Sequence, residues 1–220
     1  MIKALLFDFD GLILDTETTE YQAWQEIFRE YNQELPVEDW GQIVGGAGFS
    51  TFDAVSHLER LTSRALDRAA LNARWRARGD ELIATQPVLP GVEVHLRDAK
   101  RLGLRLAIAS SSGHDWVDGH LARLGLSHYF DVVKCADDVQ RTKPAPELFL
   151  AALSALAIRA NEAIAYEDSP NGVEAAKAAG IFVVAVPNPL TSQLNLDGAD
   201  LTLPSLASLS LEELLKTVTP

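Results

Sequence analysis

The chain has 220 residues, 47% of them hydrophobic, enough to bury a substantial core in one large domain or in a domain carrying an inserted module. Its 31 acidic and 19 basic residues give a formal net charge of −12, which disfavours nucleic acid as a partner and demands local cations or a metal wherever an anionic substrate binds. The single cysteine, Cys135, excludes an internal disulfide and fits a reducing cytoplasm; no run is long and apolar enough to span a membrane, and the N-terminus lacks a signal-peptide pattern.

In chain order, Ile2–Phe7 is an apolar run ending in acids, which predicts a buried strand delivering Asp8 at its C-terminal end. From about Thr16 to about Glu81 the pattern is helical with no strand, most clearly over Glu17–Tyr31 and Arg64–Arg78. Strand-like runs return at Leu104–Ala109, Asp131–Lys134, Ala163–Tyr166 and Ile181–Val186. Helical spacing marks Val92–Leu102, Asp115–Leu124, Glu147–Leu156 and Pro170–Ala179. Ser169-Pro170 suits an N-cap followed by proline at the first helical position, Gly180 suits the end of that helix, and Ser210 and Glu213 have capping-box spacing.

The alternation predicts an α/β fold, a Rossmann-like parallel sheet in three layers, with an all-helical cap inserted after the first strand. We place the core at residues 1–15 and 82–220 and the cap at 16–81, with hinges at Leu14-Asp15-Thr16 and in the Pro87–Gly91 stretch. A cap there would sit over the sheet's C-terminal edge, where ligands of open α/β sheets bind. A monomer is the default expectation.

Four polar clusters follow, or lie close after, predicted strands, which places them on one sheet edge. Asp8 and Asp10, with Gly11 permitting a sharp departure, offer one carboxylate to attack phosphorus and a second to move a proton. Ser110, Ser111 and Ser112 form a hydroxyl-rich loop leading into a helix, suited to an anion and equally to a plain N-cap. Lys143 lies among prolines that fix the local backbone and could neutralise phosphate and nucleophile. Glu167 and Asp168 open a helix; they suit a hard cation, although acids at a helix start are also favourable without one.

The stretches Phe7–Glu17, Leu89–Val92, Ala109–Ser112, Lys143–Glu147 and Glu167–Gly180, in this order, resemble the haloacid dehalogenase-like superfamily, and within it the β-phosphoglucomutase-like group with a helical cap. The resemblance spans nearly the whole chain. It implies a Mg2+-dependent phosphatase acting on a small phosphorylated metabolite such as a sugar phosphate. Asp8 would be nucleophile and metal ligand. Asp10 would be general acid/base, its backbone carbonyl also on the metal. Ser110 and Lys143 would hold the transferring phosphoryl group, and Glu167 and Asp168 would complete the metal site. Dehalogenases of the superfamily lack the second acid; Asp10 is present, which favours phosphoryl transfer.

The mutases of the group carry a cap histidine and a cap arginine that grip a second phosphate. Glu20 stands at the histidine position here, and Phe49, in the loop Gly45-Gly46-Ala47-Gly48-Phe49, stands where the arginine would fall, so hydrolysis is favoured over mutase chemistry. Ser110, Ser111, Lys143, Glu17, Gly46 and Arg74 form the expected substrate-side set. For the cap arginines the bland reading is a solvated face paired to acids; the sharper one puts Arg74 or Arg78 at the substrate's distal end. Arg60, Arg64 and Arg68, four apart, are expected on one helix face. The histidines show no metal-ligand spacing, and Trp24, Trp40 and Trp75 are expected to pack the cap.

Overall fold

The computed structural model describes residues 1–44 and 52–218. Strand β1 spans Ala4–Phe7 and helix α1 Thr16–Glu30, followed by α2 at Val37–Trp40, α3 at Ala54–Thr62 and α4 at Arg68–Ala84. Then come α5 at Val92–Arg101, β2 at Arg105–Ala109, α6 at His114–Arg123, β3 at Val132–Lys134 and α7 at Glu147–Leu156. Strand β4 at Ala163–Glu167, α8 at Pro170–Ala178, β5 at Phe182–Ala185, β6 at Leu201–Thr202 and α9 at Leu211–Val218 complete the order.

The six strands form one parallel sheet in the order β3-β2-β1-β4-β5-β6. The chain runs outward from β1 to β3, then restarts on the other side with β4. That reversal opens a crevice beyond the carboxyl end of β1, and Asp8 is the next residue.

Alternation along each strand divides the core into two layers. Leu5, Phe7, Leu106, Ile108, Ile164 and Tyr166 face one way, toward Val92 and Leu96 of α5, Val117 and Leu121 of α6, and Leu211 and Leu214 of α9. The opposite face is built from Ala4, Leu6, Ala107, Ala109, Ala163 and Ala165. These small residues let α7 and α8 approach closely through Leu148, Phe149, Leu153 and Val173. The result is the three-layer α/β architecture expected from the sequence. Among the described residues, no helix is long and apolar enough to cross a membrane.

The helices between β1 and α5 have their own apolar cluster. Trp24, Phe28, Trp40, Val55, Leu58 and Leu71 are buried there, and the Trp24 and Trp75 rings stack with centroids 5.5 Å apart. Leu190, from the loop after β5, joins this cluster and gives the helices a seat on the sheet domain. The two connecting segments lie side by side: Leu14 bridges Val88, and Leu89 N–H donates to the Ile13 carbonyl at 2.9 Å.

Two details differ from the sequence expectation. The helix expected from Arg64 starts at Arg68, because Asp67 caps it by accepting from Ala70 N–H, and it runs on to Ala84. Ser63, at φ 54°, ends α3 in a left-handed turn. Arg60, Arg64 and Arg68 therefore lie on a helix, a turn and the next helix rather than on one face. The capping chemistry agrees with the sequence: Gly172 N–H donates to Ser169 Oγ at 3.2 Å, and Ser210 and Glu213 satisfy each other's backbone N–H groups.

Candidate active site

Strands β1, β2 and β4 end side by side, and each hands a polar loop to the same crevice. After β1 the chain turns sharply: Gly11, at φ +78°, donates to the Leu14 carbonyl at 2.7 Å. A side chain at Gly11 would collide with the Asp168 carboxylate and Asn188, so this position needs glycine both for its backbone angle and for the space. The turn brings Asp8 and Asp10 to one cleft of about 380 Å³, lined also by Thr16, Glu17, Glu20, Ile43, Ser111, Ser112, Gly113 and Trp116.

Beneath the cleft, Lys143 is buried, with Nζ 2.6 Å from Asp8 Oδ1 and 2.6 Å from Glu167 Oε1. Asp8, Glu167 and Asp168 are buried as well, and one carboxylate oxygen from each lies within 4.8 Å of the others. Three acids thus share one lysine. Burial raises the Asp8 carboxyl, and Asp10 adds to the rise while Lys143 opposes it. Burial, then Asp8, pushes Glu167 up to about 8 against the pull of Lys143. Asp168 is held well above the usual carboxylate range by burial and by the charges of Asp8, Glu17 and Glu167. Burial alone would lower Lys143, but Asp8 and Glu167 more than offset it and keep the ammonium charged.

Asp168 Oδ1 and Glu167 Oε2 are buried without a hydrogen-bond partner. A buried acceptor left unsatisfied is costly, and two beside each other in an acid-rich pocket have the donor set of a hard divalent cation. Mg2+ fits these residues. Gly172 makes room for this arrangement, since any side chain there would collide with the Glu167 carboxylate.

The charge imbalance yields a pH prediction. An acid with a raised folded-state pKa binds more protons folded than unfolded between its ordinary and raised values. Stability therefore falls as pH rises through that window, from 4.5 to about 8 for Glu167. A bound divalent cation offsets the repulsion. The gap between melting temperatures in Mg2+ and in EDTA is expected to widen as pH rises across this range. A constant or shrinking gap in a calorimetric series would contradict the assignment.

Asp10 has a different environment. Trp116 Nε1 donates to its Oδ1 at 2.8 Å, and Ser112 Oγ donates to its Oδ2 at 2.6 Å, with Ser110 Oγ at 3.3 Å from the same oxygen. Ser110 itself is buried and accepts from Ser112 N–H at 3.0 Å. Asn188, in the loop after β5, donates to Asp168 Oδ2 at 2.8 Å and to the Gly11 carbonyl at 3.2 Å. Its own Oδ1 accepts from the N–H groups of Leu190 and Thr191. One amide thereby ties the β1 and β4 loops to the loop that seats the helices, and orients Asp168 so that Oδ1 stays open.

The structure brings together Asp8, Asp10, Ser110, Ser111, Lys143, Glu17, Glu167 and Asp168 of the expected set. Arg74 is elsewhere: its guanidinium pairs with Glu30 on the outside of α1, and Arg78 pairs with Glu26 and Glu81. Gly46 and Phe49 lie outside the described residues. Trp116 and Asn188 are not singled out by the sequence as holders of the site, and Ser112, part of the serine loop read there as suited to an anion, donates to Asp10 instead. Asn188 carried a readable signal, being a polar residue just after a predicted strand. Trp116 lies in the first turn of α6, where only the fold reveals that its indole N–H reaches Asp10.

Burial also raises Glu20, to about 8, with Asp10 and Asp80 adding to the effect. Its carbonyl accepts from Trp75 Nε1 at 3.2 Å.

A family model described as haloacid dehalogenase-like hydrolase matches residues 5–186. The Bacillus subtilis (strain 168) protein YhcW is 46% identical over 216 residues, spanning 98% of this chain and 97% of that protein. Fructose-1-phosphate phosphatase YqaB of Escherichia coli (strain K12) is 34% identical over 182 residues, spanning 83% of this chain and 95% of that one. The crystal structure of β-phosphoglucomutase from Clostridium difficile superimposes with a TM-score of 0.77 at 26% identity, covering 99% of this chain and 97% of that chain.

Proposed function

We propose that this chain, which belongs to the haloacid dehalogenase-like hydrolase family and is a phosphoric monoester hydrolase, passes the phosphoryl group of a small metabolite to Asp8 and then to water. The observation that supports this reading is the buried trio Asp8, Glu167 and Asp168 around Lys143, with two carboxylate oxygens left open. A sugar phosphate is the favoured substrate type, in keeping with the name of YqaB.

Phosphoryl transfer asks a protein for position and charge neutralisation more than for covalent machinery. Asp8 carboxylate attacks phosphorus in line while the ester oxygen leaves, and Asp10 delivers the proton that oxygen needs. Water then attacks the aspartyl phosphate, giving its proton to Asp10, and inorganic phosphate departs from a regenerated Asp8. Lys143 holds Asp8 ionised and aligned, and Ser110 and Ser111 receive phosphate oxygens. Asp8, Glu167, Asp168 and the Asp10 carbonyl would hold Mg2+, which when bound supplies positive charge to the nucleophile and the transferring group. Trp116 and Ser112 steady the Asp10 carboxylate between its two proton transfers. Residues 1–15 and 82–220 serve as the catalytic core and residues 16–81 as the cap.

A screen of phosphorylated metabolites and p-nitrophenyl phosphate tests this reading. Free phosphate is expected in Mg2+ and only background in EDTA. Equal release in EDTA, or none in Mg2+, would refute it.

A further inference from the structure

Two of the hydrogen bonds to Asp10 come from the start of α6. Ser112 stands just before the helix and Trp116 in its first turn, and both donate to the carboxylate. That helix start has no cap of its own, because Gly113 at the N-cap position makes no side-chain bond to the free N–H groups. The chain after β3 supplies what is missing. Asp137 Oδ2 accepts from His114 N–H at 2.7 Å, and Ala136 N–H donates to the Ser112 carbonyl at 2.9 Å. His114, the first residue of α6, closes the joint. Its Nε2 lies 2.8 Å from Asp138 Oδ2, and its Nδ1 lies 3.1 Å from Asp118 Oδ2, one turn along the same helix. Asp138 is itself held by Cys135 N–H and by Lys134 Nζ, both at 2.9 Å.

A neutral imidazole has one N–H to give, and two carboxylates face this one, so the geometry is that of an imidazolium. Partial burial would lower the His114 pKa, but the bonds to Asp138 and Asp118 more than offset it and raise it. Against the upward push of burial, Cys135 N–H, Lys134 and His114 bring Asp138 down to about 2, so it stays an acceptor. A positive charge at a helix N-terminus opposes the helix dipole. The dipole does not account for this cation; the two carboxylates do. We infer that His114 is a positioning residue for the general acid: by pinning the start of α6 to the turn at Ala136–Asp138, it keeps Ser112 and Trp116 aimed at Asp10. This inference rests on the phosphatase reading, in which Asp10 delivers the proton to the leaving oxygen. Partly exposed ion pairs add little to stability, so the effect falls on the proton transfer rather than on the fold.

The test compares two esters of similar shape, phenyl phosphate and p-nitrophenyl phosphate, with the full chain in Mg2+. Nitrophenolate is a stable anion that departs unaided, whereas phenolate leaves far faster with a proton from Asp10. The ratio of their kcat/KM values, phenyl over p-nitrophenyl, therefore reads proton delivery. His114→Ala is expected to lower that ratio by about tenfold, and His114→Gln, which keeps one donor, by about threefold, with melting temperatures near the parent's. Asp138→Asn approaches the joint from the other side and is expected to lower it by about threefold as well. A merely structural His114 would reduce both esters alike and leave the ratio where it was. A ratio unmoved in folded His114→Ala or His114→Gln, or moved there but not in Asp138→Asn, would overturn the inference and leave the phosphatase reading intact. So would a parent that hydrolyses only the p-nitrophenyl ester, because the pinned Asp10 would then be delivering no proton. Hydrolysis of neither ester by the parent would instead remove the phosphatase reading, and this inference with it.

Discussion

Replacing Asp8 with Asn is expected to lower kcat by about 10⁴-fold or more, to the level of background, with the fold retained. The amide has the shape of the carboxylate but lacks the nucleophilic oxygen. It also removes one of the three acids that crowd the site, so the variant should be at least as stable as the parent in EDTA at high pH. The two readouts together are diagnostic. The ion pair with Lys143, at 2.6 Å, is lost under either reading, but a merely structural Asp8 would cost activity only in proportion to the unfolded fraction, whereas a lost nucleophile abolishes kcat in the folded protein. Phosphate release and a thermal melt on the same preparation separate the cases. Undiminished kcat in Asp8→Asn would exclude this residue as the phosphoryl acceptor.

Lys143→Met carries the second large effect. The ammonium is buried against Asp8 and Glu167, with the Phe149 ring centroid 5.3 Å away. Removing one partner of a buried pair while leaving the other costs about 3–5 kcal/mol, and here two carboxylates lose their cation. The loss should grow with pH, because at low pH the carboxyls can take up protons and relieve the repulsion. Turnover should fall by about 10²–10³-fold through lost neutralisation of the phosphoryl group. Urea unfolding across a pH series reads the first effect, and kcat of the folded fraction reads the second. Parent-like stability together with parent-like kcat would contradict the role given to Lys143.

The strands were legible because parallel strands are buried on both faces and read as continuous apolar runs. Leu104–Ala109 was expected and Arg105–Ala109 observed; Ala163–Tyr166 was expected and Ala163–Glu167 observed. Strand β6, two residues long at the sheet edge, has too little pattern to announce itself. The helices of the insert were harder. Their apolar face is shared between four helices of unequal length, and the Asp67 cap inside an arginine-rich stretch moved a helix start from 64 to 68. At the site, Asp8, Lys143, Glu167 and Asp168 could be found because each stands just after a strand or is fixed by prolines. Asn188, Ser112 and Trp116 act by reaching across loops, and those distances exist only in the folded chain.

The account depends on phosphorus passing through Asp8. Acid-quenching the enzyme during turnover of its substrate in Mg2+, digesting it and mapping phosphoryl adducts by mass spectrometry tests that step directly. An acid-stable, hydroxylamine-sensitive phosphoryl group on the peptide containing Asp8, absent in EDTA, is the predicted result. Sustained turnover with no adduct on that peptide under any quench, or with the label on another side chain, would contradict it.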